Sequence, residues 1–219
     1  MKCFVIAMEK EALPVTDAMT EKKQSIVSGR KVIEGKLFGE SVAVIICGVG
    51  KVNAACGAQL AIDKYDADTV INLGVAGALN KGMQVGSVYA ISSAVQYDFD
   101  LTQLNGTPIG TLDECKQNYL EFCSSSGYPL KKLATGDRFN DNMDDYLLLT
   151  KVLGADTRDM EGGAIAQACM HANKKFKSYK IISDIAGSGS TTEQYLNNLS
   201  KCFKTLESEL KNIFGDIDG

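Results

Sequence analysis

The sequence predicts an α/β fold in which a central twisted sheet, mixed but mostly parallel, is flanked by helices. Short β-branched runs alternate with longer stretches of helical periodicity along the 219 residues. Three of these runs, Cys3–Ala7, Val42–Cys47 and Thr69–Leu73, are continuously apolar, which is typical of parallel strands covered by helices on both faces. No linker, repeat or low-complexity segment divides the pattern, so we expect a single domain over residues 1–219.

Weaker patterns predict the rest of the sheet. Val32–Phe38 alternates apolar and polar residues and is followed by Gly39 and Glu40. Alternation before a turn predicts an antiparallel hairpin early in the chain. Three more mixed runs are predicted strands: Ser87–Ser92, Leu130–Ala134 and Ser178–Ser183.

Four segments have helical periodicity. Lys51–Tyr65 repeats small apolar residues at helical spacing, directly after Gly48 and Gly50. Thr192–Phe214 has apolar side chains three and four residues apart, which predicts a long amphipathic helix at the end of the domain. The other two predicted helices are Asp141–Thr150 and the small, apolar segment Gly162–Ala172.

Composition excludes several classes of partner. The net charge is −4 and the chain has only three arginines, whereas a nucleic-acid-binding protein clusters basic residues on one face. Few arginines also limit any tight phosphate site, because bidentate phosphate recognition prefers guanidinium. No apolar run approaches the roughly 18 residues of a membrane span. We therefore expect neither nucleic acid nor a membrane as a partner.

Cysteine and histidine usage argues against disulfides and metals. The seven cysteines are odd in number and have no CxxC spacing, so we expect reduced thiols that pack as small hydrophobes. The one histidine, His171, lies in a predicted helix and is expected to be structural. The N-terminal apolar stretch is too short for a signal peptide. These features predict a cytoplasmic protein without a metal site.

Glycine-rich turns follow three predicted strands, at Cys47–Lys51, Leu73–Gly77 and Ser183–Gly187. Glycine at such turns allows positive φ or close approach of the backbone to a ligand, and ligands of open parallel sheets bind outside the carboxyl ends of the strands. Each turn alone is weak evidence, because such glycines more often reflect simple turn chemistry. The first has only two of the three glycines of the dinucleotide fingerprint, and GxxxxGK[ST] is absent, which excludes NAD and P-loop sites.

Three carboxylates, Glu11, Glu161 and Asp184, lie where a predicted strand ends or a loop enters a helix. A charge at such a place costs desolvation energy unless it is paired, so these residues are candidates for function. The alternatives are a helix N-cap for Asp184 and complementation of a helix dipole for Glu161. Position alone leaves both interpretations open.

Six short motifs in a fixed order carry a family resemblance. They are Ala7–Glu11 (AMEKE), Gly48–Ala55 (GVGKVNAA), Asn72–Gly77 (NLGVAG), Gly136–Phe139 (GDRF), Asp159–Gly162 (DMEG) and Ser183–Ala186 (SDIA). Together they resemble the bacterial methylthioadenosine/S-adenosylhomocysteine nucleosidases of the nucleoside phosphorylase-like superfamily. The resemblance covers most of the chain and implies a nucleoside phosphorylase-like fold, a purine nucleoside substrate and no cofactor.

The resemblance also implies roles for the three carboxylates. Asp184 would donate a proton to purine N7, Glu11 would activate a water molecule and Glu161 would hold the ribose 2′-hydroxyl. A positioned general acid contributes roughly 10²–10⁴-fold to the rate. The resemblance implies further substrate contacts, with Met160 covering the ribose and Phe139 stacking on the base; the full set is Met8, Val49, Val75, Phe139, Asn140, Asp159, Met160 and Ser183.

Water is the expected nucleophile. Phosphorylase relatives bind phosphate through arginines, one of which stands at the position of Asn72, and Glu11 would repel an anion. The nucleosidases usually have a serine in place of Val75 and an arginine in place of Lys180, and both help to hold the water. The segment Gly187–Thr192 also lacks the phenylalanine that lines the alkylthio pocket in the nucleosidases, and these departures weaken the prediction of a methylthio substituent. A phosphate-dependent phosphorylase and a non-catalytic nucleoside-binding protein therefore stay as alternatives.

The resemblance implies a homodimer in which a loop of one subunit closes the pocket of the other. Tyr97–Gly110 is the candidate loop, with Phe99 or Leu101 reaching across. An ordinary surface loop is the equally weighted alternative.

Overall fold

The computed structural model describes residues 1–218, and Gly219, the last residue of the predicted domain, lies outside the described residues. These residues form a ten-stranded sheet with helices on both faces. The strands are β1 (Lys2–Ile6), β2 (Thr20–Val27), β3 (Arg30–Leu37), β4 (Glu40–Ile46), β5 (Thr69–Ala78), β6 (Val88–Gln96), β7 (Leu120–Glu121), β8 (Leu130–Thr135), β9 (Thr157–Asp159) and β10 (Lys175–Ile185). The helices are α1 (Glu9–Ala18), α2 (Lys51–Tyr65), α3 (Thr102–Asn105), α4 (Met143–Leu147), α5 (Gly162–His171) and α6 (Thr191–Asp216).

The sheet is mixed, with parallel strands at its centre. The order is β10-β6-β8-β9-β5-β1-β4-β3-β2, and β7 pairs with β6. Strand β1 is parallel to its neighbours β4 and β5, and β5 is also parallel to β10. Because β10 pairs with β5 as well as with β6, the strands β5, β10, β6, β8 and β9 close into a ring. The predicted α/β class and mixed sheet are confirmed.

Strand β1 shows why the apolar runs are continuous. Phe4 and Ile6 point into a core formed with α1 and α6, whereas Cys3 and Val5 point into a second core formed with α2 and α5. Successive side chains of a strand face opposite sides of the sheet. A strand with a helical layer on each side therefore needs apolar residues at every position.

The sequence patterns missed five elements, which are the short α3, β7 and β9 and also α1 and β2. Helix α1 contains Pro14, which removes a backbone donor, and it is held by burial of Ala12 and Val15 rather than by a strong local pattern. Strand β2 is polar and mostly exposed. It pairs with β3 and extends the predicted hairpin, whose own turn lies at Gly39 with a φ of 92°.

The predicted helix Asp141–Thr150 differs in form from the observed element. Asn142 caps α4, because its side-chain oxygen accepts hydrogen bonds from the backbone N–H groups of Asp144 and Asp145. The helix starts two residues later than predicted and continues as a π-helical segment over Leu148–Val152. The loop that precedes α4 contributes to the wall of a cavity.

Candidate active site

A cavity of about 370 Å³ lies at the carboxyl ends of six strands. Residues that follow or end β1, β4, β5, β8, β9 and β10 line it, and the first turns of α6 cover one side. Ligands bind at this edge of open α/β sheets. The cavity is lined by Ala7, Met8, Glu11, Val49, Val75, Ala76, Gly77, Arg138, Phe139, Arg158, Asp159, Met160, Glu161, Ser183, Asp184, Thr192, Tyr195 and Leu196.

Glu11 is buried at the first turn of α1. Its Oε1 accepts a hydrogen bond from the backbone N–H of Val75 at 2.9 Å, and its Oε2 accepts from the N–H of Met8 at 3.3 Å. Gly74 makes this approach possible, because a Cβ there would lie 2.8 Å from Oε1. Burial raises the pKa of the Glu11 carboxyl, although the two backbone donors and Lys180 oppose the shift.

Glu161 occupies the N-cap position of α5 without capping the helix through its side chain. Its Oε1 instead accepts a hydrogen bond from the backbone N–H of Gly50 at 2.9 Å. Gly50 has a φ of 98°, a conformation that favours glycine. Burial raises the pKa of Glu161 to about 7, and the neighbouring Asp159 adds to the increase. The carboxylate therefore joins two loops that are distant in sequence.

Asp184 lies inside β10, directly after a β-bulge. The bulge sets Asp184 opposite Gly77 of β5, and bulges commonly redirect a side chain beside a functional site. Asp184 Oδ1 accepts a hydrogen bond from Ser183 Oγ at 2.7 Å. Burial raises the pKa of the Asp184 carboxyl, whereas the Ser183 hydrogen bond and the charge of Arg158 lower it. The N-cap interpretation is wrong, because Ser190 caps α6.

Lys180 and Asp159 form a buried ion pair beneath the cavity, with Lys180 Nζ 2.8 Å from Asp159 Oδ2. Asp159 also accepts hydrogen bonds from Thr135 Oγ1 and from the backbone N–H of Gly162. Burial alone would lower the pKa of Lys180, but the charges of Asp159 and Glu161 raise it above its ordinary value. Lys180 is thus a counter-ion to a group of carboxylates and is not itself among the lining residues.

Seven of the eight predicted substrate contacts line the cavity: Met8, Val49, Val75, Phe139, Asp159, Met160 and Ser183. The exception is Asn140, which is not among the lining residues. Its Nδ2 donates a hydrogen bond to Asp145 Oδ2 at 2.8 Å, and its Oδ1 accepts one from the backbone N–H of Asn142. The polar groups of this side chain are therefore committed to its own loop.

A family model described as the phosphorylase superfamily matches residues 2–215. The chain belongs to this superfamily. A 5′-methylthioadenosine/S-adenosylhomocysteine nucleosidase from Geobacillus thermodenitrificans is 31% identical over 221 residues, which cover 92% of each chain. The solved structure of the nucleosidase of that name from Colwellia psychrerythraea, in complex with adenine, is 28% identical with a TM-score of 0.81 and covers 96% of each chain. Futalosine hydrolase from Helicobacter pylori shares the fold, with a TM-score of 0.90 at 21% identity over 98% of this chain and 97% of its own.

In this superfamily member, the first turns of α6 form one wall of the cavity, which the motifs predicted only in part. Phe139 and Tyr195 meet edge to face, with ring centroids 5.5 Å apart. Thr192 and Leu196 lie on the same side of the helix start. The amphipathic period of α6 predicted that its apolar residues share one face. It gave no sign that the first turns leave the core and cover a cavity.

Two arginines on the cavity wall were not predicted as site residues. Arg138 Nη1 donates to Asp145 Oδ1 at 2.9 Å, and its side chain is half exposed. Arg158 belongs to β9, a strand too short to give a pattern. Arg158 could have been predicted as a site residue from its position directly before the DMEG motif, because two carboxylates of that motif line the cavity.

Residues 1–218 contain no candidate metal cluster and no candidate membrane-spanning helix. Within that range no group of three or more His, Cys, Asp or Glu side chains has the arrangement of a metal site. None of the helices described there has the length and apolar character that crossing a bilayer requires.

Proposed function

We propose that this chain is an N-glycosyl hydrolase that cleaves a purine nucleoside, with 5′-methylthioadenosine and S-adenosylhomocysteine as the first substrates to test and adenine as the released base. One observation carries the proposal. Glu11, Glu161 and Asp184 come from three distant parts of the chain and line one cavity at the carboxyl ends of the strands. The names and identity levels of the curated relatives support the same activity.

Asp184 acts as the general acid in this proposal. Cleavage leaves negative charge on the purine, which a proton delivered at N7 neutralises. The pKa of Asp184 is raised by burial, which favours the protonated form that an acid requires. Its Oδ1 is held by Ser183, so the free oxygen Oδ2 is the atom that delivers the proton.

Glu11 acts as the base that activates water. Two backbone N–H groups and the charge of Lys180 stabilise the ionised form of this buried carboxylate. A carboxylate beside an oxocarbenium-like sugar also stabilises charge that develops only in the transition state. Glu161, held by Gly50, accepts a hydrogen bond from the ribose 2′-hydroxyl.

Water is favoured over phosphate as the nucleophile. Glu11, Glu161 and Asp159 bring three carboxylates to this end of the cavity, and the one lysine beneath them is already paired with Asp159. A phosphate dianion would meet net negative charge there. Of the two arginines on the wall, Arg138 is paired with Asp145, and Arg158 lies at the other end, beside Asp184.

The test is release of free adenine from 5′-methylthioadenosine, measured with and without phosphate. We expect release in phosphate-free buffer and no stimulation on adding phosphate. Release that depends on phosphate would make the protein a phosphorylase. Binding without release from a panel of nucleosides would make it a non-catalytic nucleoside-binding protein.

We propose further that the chain forms a homodimer next to the cavity mouth. Val52 and Leu104 are large apolar side chains that are 75% and 80% exposed. An ion pair between Lys51 and Asp98 connects the start of α2 to the Tyr97–Gly110 segment, so both side chains belong to one region. In sedimentation velocity, Val52→Asp with Leu104→Asp should give a monomer, whereas Ile26→Asp on β2 should leave the dimer intact. A monomeric wild-type protein would overturn this proposal.

The cytoplasm is the proposed compartment. All seven cysteines are free, and reduced thiols are typical of proteins kept in a reducing environment. Cell fractionation with an antibody against the chain tests this, and recovery outside the cytosolic fraction would contradict it.

A further inference from the structure

Arg158 and Asp184 share a small volume above Gly77. Arg158 is the cross-strand partner of Gly77 in the antiparallel pair of β5 and β9, and Asp184 is its partner on β10. A Cβ at Gly77 would lie 2.8 Å from Asp184 Oδ2 and 3.2 Å from Arg158 Nε. The glycine therefore leaves room for a carboxylate and a guanidinium to lie side by side on the cavity wall.

The two side chains do not satisfy each other. Arg158 Nη2 and Asp184 Oδ2 are both buried, and neither has a hydrogen-bond partner among the described residues. A buried polar atom without a partner destabilises the fold, and nearly all buried polar atoms in native proteins are paired. Because both residues line the cavity, a bound ligand is the natural source of the missing partners.

The remaining cations near the cavity are already paired. Arg138 donates to Asp145, and Lys180 donates to Asp159. Arg158 is thus the lining residue with an unpaired cationic donor beside the proposed proton donor. A purine bound with N7 at Asp184 would have this guanidinium beside the same edge of its ring.

The chemistry of the purine edge decides what that atom can be. A guanidinium has five N–H donors and no acceptor. The edge of a 6-oxopurine presents two acceptors, N7 and O6, whereas the same edge of adenine presents the acceptor N7 and the amino donor at N6. A donor beside Asp184 therefore matches O6 and gives no hydrogen bond to an amino group.

We infer that Arg158 extends the substrate range of this cavity to 6-oxopurine nucleosides by donating a hydrogen bond to O6 of the base. This inference rests on the proposed function, since it assumes that the purine is oriented with N7 toward Asp184. Arg158 is a specificity-determining residue in this arrangement. Bond cleavage itself stays with the three carboxylates.

The experiment compares 5′-methylthioinosine with 5′-methylthioadenosine, two substrates that differ only in the group at position 6 and in the N1 proton that accompanies it. The kcat/KM of each is measured for the wild type, Arg158→Met and Arg158→Lys. We expect the wild type to cleave both. Arg158→Met should lower kcat/KM for the inosine substrate about 10- to 100-fold relative to the adenosine substrate, because a good contact to a base edge discriminates by about 1–3 kcal/mol. Arg158→Lys, which keeps a cationic donor, should restore part of the ratio.

The ratio of the two substrates separates base recognition from other effects. Arg158 also lowers the pKa of Asp184, but a change in the general acid acts on both substrates alike and cancels in the ratio. Arg30→Met serves as the matched control, because it removes a guanidinium from β3, outside the cavity lining; its ratio should equal that of the wild type.

Three results would overturn the inference. The first is cleavage of the adenosine substrate with no cleavage of the inosine substrate by the wild type. The second is a substrate ratio that Arg158→Met leaves unchanged. Both leave the proposed function intact. Cleavage of neither nucleoside by the wild type would instead remove the proposed function, and the inference with it.

Discussion

Lys180 Nζ lies 2.8 Å from Asp159 Oδ2, and both side chains are only 1% exposed. This ion pair is the electrostatic centre of the site, because the charges of Glu11 and Glu161 also act on Lys180. One cation therefore balances three carboxylates in a dry environment. Burial, together with the excess of negative charge, raises the pKa of Glu161 to about 7.

Replacing Lys180 by Met should destabilise the protein by about 3–5 kcal/mol, because removal of one partner leaves the others as uncompensated buried charges. The urea-induced unfolding midpoint at pH 8 measures this change. Lys174→Met is the control. It removes a surface pair with the exposed Asp66, which should leave the unfolding midpoint nearly unchanged. Equal losses in the two variants would show that the buried pair has no special role.

Replacing Glu161 by Gln should change how stability depends on pH. The pKa of Glu161 is about 7 in the folded protein against an ordinary value of 4.5, so between these values the folded state holds a proton that the unfolded state has lost. This contribution makes the free energy of unfolding of the wild type fall as pH rises through that window.

Glu161→Gln lacks this contribution. Relative to the wild type it should therefore gain stability between pH 4.5 and 7, by at most on the order of 3 kcal/mol. Urea unfolding at pH 4.5, 6 and 8 measures the difference. Glu207→Gln, on the exposed side of α6, is the control substitution. A difference between Glu161→Gln and wild type that stays constant with pH would contradict the raised pKa.

Replacing Asp184 by Asn should abolish most turnover while keeping much of the binding. An amide of the same shape keeps the contact with Ser183 but cannot supply the proton, so kcat should fall about 10²–10⁴-fold. Single-turnover release of the base measures the chemical step, and calorimetric titration with a nucleoside measures binding. Full activity in this variant would remove Asp184 as the acid.

Wild-type activity should also fall as pH rises through the raised pKa of Asp184, because the proposed acid is then lost. A profile of kcat/KM against pH measures this limb. A rate that keeps rising throughout the alkaline range would contradict the role of Asp184.

Replacing Gly74 by Ala should displace the Glu11 carboxylate without changing its chemistry. The added Cβ would lie 2.8 Å from Glu11 Oε1, so the carboxylate must move away from the N–H of Val75. Misplacement of a catalytic group by about 1 Å can cost about 10²-fold in rate, and we expect a loss of that order in kcat/KM. The control is Gly215→Ala in α6, where nothing lies within 4 Å of the added atom. Unchanged activity in Gly74→Ala would show that the position of Glu11 is not critical.

Several features were predictable from the sequence because their signals are local. The limits of α2, Lys51–Tyr65, match the helical period of the residues it contains. The hairpin of β3 and β4 follows from alternation and from the turn at Gly39. The motifs indicated the three carboxylates, and the rule that ligands bind at the ends of parallel strands indicated the edge of the sheet.

Other features depend on register, which no local pattern contains. The sequence by itself determined the fold class, the main strands and helices, and the candidate acids. The tertiary structure decided that Arg158 faces Gly77 and Asp184, that Lys180 is paired beneath the cavity with Asp159, and that Asn140 turns away to Asp145. The physical reason is that periodicity and motifs indicate only the type of a local segment. Buried polar groups instead pair with strands and loops that pack beside them, up to 111 residues away in the case of Glu161 and Gly50.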